Sequence, residues 1–437
     1  MTIWNHQTLV LFAFCVLVSA TTVVAQTSED DQQPVAGVKF IPTLLMIDAN
    51  EGIDIADVNN DGSLDIVAGR NWYAAPEFKP RPLRNIDDWN GYVESNGDQT
   101  YDVDGDGWVD VVAGSFRPSE IYWYRNPGSE GLKLGQLWKP NLLVDTKFSQ
   151  NEMCFLRDID GDGKPEWIFN SWNKQNPVIV WSFAKEPASP SDSKPKTNQK
   201  ANQKTNQKKQ PKKNQGTPKS SSRYVLKQHV IGTETHGHGM GFGDINNDGH
   251  EDVLVSTGWY ERPAKNPLTS GPWKFHADWS LPHASCPMIV RDLNADGKND
   301  LVWGHGHGYG LHWWELDGTD EEGKLQFKPH LIDDRYSQAH TIHFADLDGD
   351  KQDELITGKR VRGHNGKDPG GKEFACMYYY RWNPEKLEFQ RFTIDEGHIG
   401  TGLQIRSADI DGDGDIDLAV AGKEGTWLLE NQSKTKQ

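Results

Sequence analysis

Asp102-Val103-Asp104-Gly105-Asp106-Gly107-Trp108-Val109-Asp110 places an acid at the first, third, fifth and ninth positions of a short loop. The spacing recurs in six further copies: Asp57, Asn59, Asp61 and Asp65; Asp158, Asp160, Asp162 and Glu166; Asp244, Asn246, Asp248 and Asp252; Asp292, Asn294, Asp296 and Asp300; Asp346, Asp348, Asp350 and Glu354; Asp409, Asp411, Asp413 and Asp417. Oxygen donors at alternate positions, a Gly that permits a sharp turn and an acid that closes the shell suit a hard cation needing six to eight oxygens, and Ca2+ fits best. The sixth copy has Lys351 where the others have Gly, so its turn is expected to be strained or reshaped.

What flanks the loops decides the fold. An EF-hand loop closes later and sits between helices, whereas here Ile66-Val67-Ala68, Val111-Val112-Ala113, Val253-Leu254-Val255 and Leu418-Ala419-Val420 follow the closing acids directly, as strands do. Each loop is therefore predicted to join two strands of a hairpin. Successive loops start 45, 56, 86, 48, 54 and 63 residues apart, which brackets a four-stranded blade. The expected fold is all-β: a seven-bladed β-propeller over residues 36–432. The chain finishes after Thr426-Trp427-Leu428-Leu429, a third strand, while Val38 to Ile47 reads like the fourth strands elsewhere. The N-terminal strand is thus expected to complete the last blade and to remove an exposed edge.

The hairpin with this acidic loop, repeated seven times, resembles the FG-GAP/VCBS repeat of integrin α-chain propellers and of many secreted bacterial proteins. The resemblance covers nearly the whole chain and implies a calcium-binding propeller. It says little about function, because the same scaffold serves adhesion and enzymes alike.

Composition narrows the setting. Residues 1–25 hold the apolar run Leu9 to Val18 followed by Val23-Val24-Ala25, which reads as a secretory signal peptide, so a secreted product is expected. Ten apolar residues are too few for a membrane span. Residues 184–222 carry ten Lys against Glu186 and Asp192, a net of +8, so the rest of this -17 chain carries -25. That segment lacks aromatics and is expected to be a disordered insertion within blade three. The acidity of the remainder argues against a nucleic-acid partner. Cys154, Cys286 and Cys376 are odd in number and scattered over different repeats, so no disulfide framework is expected.

Function should lie where the repeat breaks. Since the acidic loop joins strands one and two at one face, the start of strand one and the end of strand two meet at the other. Six residues before the loops stand Glu51, Asn96, Glu152, His238, Cys286 and His340. After the second strands come Arg70 and Asn71, Arg117, Trp172, Trp259 and Tyr260, His305 and His307, Lys359 and Arg360, His364, and Lys423. By contrast, His229, His276 and His330 recur in register in fourth strands and are expected to be structural.

Two chemistries suit the non-repeating set. Imidazoles of His238 and His340 with Glu152 could hold Zn2+ or Mn2+. Alternatively, His238, His340, His305, His307 or Tyr260 could move a proton while Arg360 neutralises a developing enolate, as β-elimination on a sugar requires. Arg70, Asn71, Arg117, Trp172, Trp259, Lys359, His364 and Lys423 are then candidates for substrate binding.

The run Thr235-His236-Gly237-His238-Gly239-Met240-Gly241-Phe242-Gly243 also resembles the propeller part of aldos-2-ulose dehydratase/isomerase, although the cupin domains of that family are missing. That likeness implies a metal-assisted elimination on a keto-sugar. Secreted propeller lyases acting on uronate polysaccharides are a comparable model. The expected function is accordingly a secreted carbohydrate lyase or dehydratase, with a noncatalytic glycan-binding or adhesion propeller as the alternative.

Overall fold

A computed structural model describes residues 37–187, 222–233 and 236–434; residues 1–25, where the signal peptide is expected, lie outside them, as do 188–221 of the expected insertion. Among the described residues there is one α-helix, Gly128–Lys133, and the rest of the regular structure is almost entirely strand. Among the described residues no helix is long and apolar enough to cross a membrane.

The strands form five four-stranded sheets, one eight-stranded sheet and a two-stranded ribbon. The eight-stranded sheet is two antiparallel four-stranded halves touching through a short parallel contact, Gly241↔Met288 and Phe242↔Ile289. Each four-stranded unit meanders antiparallel, and each acidic loop joins its first and second strands, as Asp57 to Asp65 joins Asp54–Ala56 to Asp65–Ala68. The strand Phe40–Met46 pairs antiparallel with Gly425–Asn431, so the first described strand lies beside the last. In the third unit, Val178–Pro187 pairs with Ser222–Gly232 up to Pro187↔Ser222; residues 184–187 and 222, at the ends of the expected insertion, are therefore strand.

Apolar second and third strands explain why the units stack. Most core clusters mix two consecutive units: Val112, Ile121 and Trp123 pack on Trp167, Phe169 and Ile179, and Ile53, Ile66 and Tyr73 pack on Ala419, Ala421 and Leu428. Burying a side chain of this size stabilises by about 1.5–3 kcal/mol, so each unit depends on its neighbours. Trp72, Trp123 and Trp313 are buried in the third strands.

The loops are held by their own carboxylates. Asp57 accepts from the N–H of Asp61 and Gly62, and Asp65 accepts from Val58 and Ala75. In the sixth loop the turn is not reshaped: Lys351 takes the left-handed conformation at φ 75° and still donates its N–H to Asp346. A side chain in that conformation costs about 1–2 kcal/mol.

Candidate functional site

At the ends of the strands opposite the acidic loops, six units contribute to one buried polar layer. Glu51 and His238 precede the first strands Asp54–Ala56 and Met240–Gly243, Glu152 and His340 are the second residues of Asn151–Arg157 and Ala339–Ala345, and Arg360 follows the second strand Glu354–Lys359. Arg360 grips Glu51 with two bonds of 2.7 and 2.9 Å, donates to Glu152, and donates to His340 Nε2 at 2.9 Å. Lys423 reaches Glu51 at 2.6 Å. A guanidinium only donates, so the His340 Nε2 that faces it is an acceptor.

Three more donor atoms converge on that nitrogen. His238 Nε2 lies 2.8 Å from His340 Nε2, and Glu152 stands 3.3 and 3.4 Å from the two imidazoles. One ligand atom from each of Glu152, His238, His307 and His340 falls within 4.8 Å of the others, and all four residues are buried. The His307 Nδ1 is tied to Asp368 at 2.7 Å, while its Nε2 is buried with no hydrogen-bond partner. A carboxylate behind an imidazole in this way fixes which nitrogen keeps its lone pair. His364 stacks on His307 and bonds the other oxygen of Asp368, also at 2.7 Å.

The local backbone allows this crowding. A Cβ on Gly306 would lie 2.9 Å from His238 Cε1 and 3.3 Å from His340 Cδ2, so only glycine lets the His305-Gly306-His307 run pass so near. Trp172 stands over the layer, its ring 5.0–5.2 Å from those of His238, His283, His307 and His364.

Burial and paired charge set the ionisation. Burial pushes the Glu51 carboxyl up, but Arg360 and Lys423 override it and hold it well below the usual range. Burial likewise opposes ionisation of Glu152, and Arg360 with His238 outweighs it. Burial, followed by Arg360 and His238, keeps His340 neutral, and burial lowers His307 to about 4 despite its bond to Asp368. Lys423 falls to about 8 through burial and the nearby Arg360. Beside this network Glu424 has both carboxyl oxygens buried and unpartnered, and burial raises it to about 7.

Several residues expected to meet a ligand are instead engaged by the protein. Arg70 is bound by Ile86 O, Asp48 and Asp88. Arg117 forms a two-bond pair with Glu94 and lies over Trp89. Trp259 stacks on His276 and donates to Asp278, and Tyr260 bonds His236, because both belong to a third strand packed on its neighbours. Lys359 is fully buried on Ser337 and the Gly370 carbonyl. Asn71 opens the strand Asn71–Ala74. Arg360 commits four of its five N–H groups to Glu51, Glu152 and His340, which leaves one on Nη2 to meet a developing enolate. His305 accepts from the His307 N–H, and burial lowers its pKa. Asp368 escaped sequence reasoning; its one signal is a four-residue spacing from His364.

The acidic loops suit a cation on their own evidence. Burial raises the closing Glu166 to about 7 and Asp252 to about 8, and Asp409 Oδ1 and Asp413 Oδ2 are buried without a hydrogen-bond partner. Such acids lack sufficient countercharge within the protein.

A family model described as FG-GAP-like repeat matches residues 102–169 and 292–357, which contain the second, third, fifth and sixth loops. No curated protein matches the chain by sequence. Among solved structures the chain is similar to an Agrocybe aegerita lectin described as specifically recognising non-reducing terminal N-acetylglucosamine, at 14% identity and a TM-score of 0.44 over 91% of this chain and 94% of that one. It is similar also to a Photorhabdus luminescens Tc holotoxin pore, at 14% identity and a TM-score of 0.33 over 90% of this chain and 15% of that one.

Proposed function

We propose that this chain, which carries FG-GAP-like repeats, is an exported calcium-binding propeller that acts on carbohydrate through a transition-metal centre, as a lyase or dehydratase. The observation that carries the proposal is the convergence of Glu152, His238, His307 and His340 in one buried layer, with Asp368 behind His307. Seven blades and a closed ring are part of the reading. They are supported by the pairing of Phe40–Met46 with Gly425–Asn431 and by the core shared between the first and last units.

The donor set of three imidazoles and one carboxylate suits zinc or manganese. Such an ion would act as a Lewis acid toward a sugar carbonyl or carboxylate. Arg360 contacts two of the same donors, Glu152 and His340, and would keep its two-bond grip on Glu51 if it yielded them. In β-elimination the C–H pair becomes the C=C bond, its proton passes to a base, and the oxygen leaves with the C–O pair and takes up a proton from water. His305 and His283, whose pKa values are lowered by partial desolvation, are suited to accept the proton from carbon. Trp172 offers a ring face to a sugar.

The noncatalytic alternative is favoured by one fact: the His238 and His340 side chains are 0% exposed. Of the groups around them, His283 and His364 are exposed and Trp172 partly so. One experiment separates the two. The full chain is incubated with acidic polysaccharides and keto-sugars while the absorbance of unsaturated product is followed. Turnover that disappears in a His238→Ala/His340→Ala double variant with a nearly unchanged melting temperature supports the enzyme. Sugar binding without product, undiminished in that variant, supports the glycan-binding protein.

A further inference from the structure

Two of the acidic loops hold a positive charge of the protein's own. In the second loop Arg125 bridges Asp104 and Asp106, each at 2.6 Å; in the sixth Arg381 bridges Asp348 at 2.6 Å and the closing Glu354 at 3.4 Å. These carboxylates stand at the third, fifth and ninth positions, where a calcium ion would find its ligands. A planar guanidinium with forked N–H groups spans two carboxylates well.

The two arginines share one place in the repeat. The residue after each closing acid pairs with a third-strand residue, as in Val111↔Tyr124 and Leu355↔Tyr380, and the arginine comes next. The same register, set by Ile66↔Tyr73, Trp167↔Trp181, Val253↔Tyr260, Leu301↔Trp314 and Leu418↔Leu429, gives Ala74, Ser182, Glu261, Glu315 and Glu430 in the other units. None of those five can supply a cation. Lysines do approach other loops, but Lys164 and Lys298 extend from the loop surface to one outer carboxylate each, at 3.4 and 3.1 Å. Arg262 reaches the third loop only at the carbonyls of Ile159 and Asp160.

We propose that Arg125 and Arg381 are the resident cations of the second and sixth loops, so that calcium binds at the other five only. The inference rests on the calcium reading of the loops and narrows it, since a divalent ion entering either loop would meet a guanidinium already bonded to two of its carboxylates and be repelled by it. It also assigns the third-strand position as the residue that decides, unit by unit, whether the loop depends on calcium.

Counting calcium ions bound by the full chain in equilibrium dialysis tests this. Five are expected for the unmodified protein, six for either Arg125→Gln or Arg381→Gln, and seven for the double variant. Seven ions in the unmodified protein would overturn the proposal and leave the calcium reading standing. Five ions in the unmodified protein and in both folded variants would also overturn it. No calcium in any of them would remove the calcium reading itself. The single variants are read independently, so a folding defect in one leaves the other decisive.

Discussion

In the third unit one first strand, Asn151–Arg157, has Asp158 beyond one end and Glu152 near the other, and the two acids belong to sites of different kinds. Asp158 is met by its own loop, accepting from the N–H groups of Gly161 and Gly163. Glu152 is met by His238, His340 and Arg360, up to 208 residues away in sequence. The loop site is local and can be written seven times. The polar layer exists only when several units meet, and each of its residues is needed once. A repeat can therefore evolve its loops for stability while the opposite ends diverge for function.

The largest expected effect falls on the loop side. At free calcium 100-fold above Kd each ion adds about 2.7 kcal/mol, so a chelator should lower the melting temperature by roughly 10 °C or more. Calorimetry with and without chelator checks this, and an unchanged transition would break the comparison at its repeating end.

On the layer side, Arg360→Leu leaves Glu51 and Glu152 buried with less countercharge. Breaking such a network costs about 3–5 kcal/mol. Denaturant midpoints should show it; a loss under about 1 kcal/mol would mean that the layer is not held by its ion pairs.

A smaller effect concerns Glu424. Its native pKa of about 7 lies above its free value of 4.5, so the unfolded chain releases the proton first. Stability contributed by the protonated form is complete below pH 4.5 and is lost as pH rises toward 7. With Lys423, Glu51 and Arg362 as its charged neighbours, Glu424→Gln should match the parent near pH 4.5 and exceed it by about 1–3 kcal/mol at pH 8. Equal stability of the two proteins at pH 8 would show that the carboxyl is solvated. The smallest stability change, about 1 kcal/mol, is expected for Trp172→Ala, which should instead weaken sugar binding about tenfold by titration.

These contrasts also explain what the sequence could reveal. Asp57 to Asp65 and its counterparts are legible because their ligands lie within nine residues, and the hairpin follows from the apolar run after each closing acid. Glu51, Glu152, His238 and His340 could be grouped because the loop sets a register to count back from. Arg70, Arg117, Tyr260 and Lys359 hold matching positions, yet their partners Asp88, Glu94, His236 and Ser337 come from segments that no register connects to them. Asp368 lies in a connection outside the repeat, after Arg362, His364 and Asn365 in left-handed conformations, so its approach to His307 is visible only in three dimensions.

Metal analysis tests whether Glu152, His238, His307 and His340 hold a transition metal. After dialysis against a calcium chelator, the full chain should retain about one equivalent of zinc or manganese, and His307→Ala and Glu152→Gln should lose it while remaining folded. Calcium as the only metal ever bound, or equal zinc and manganese content in the parent and both variants, would contradict the account.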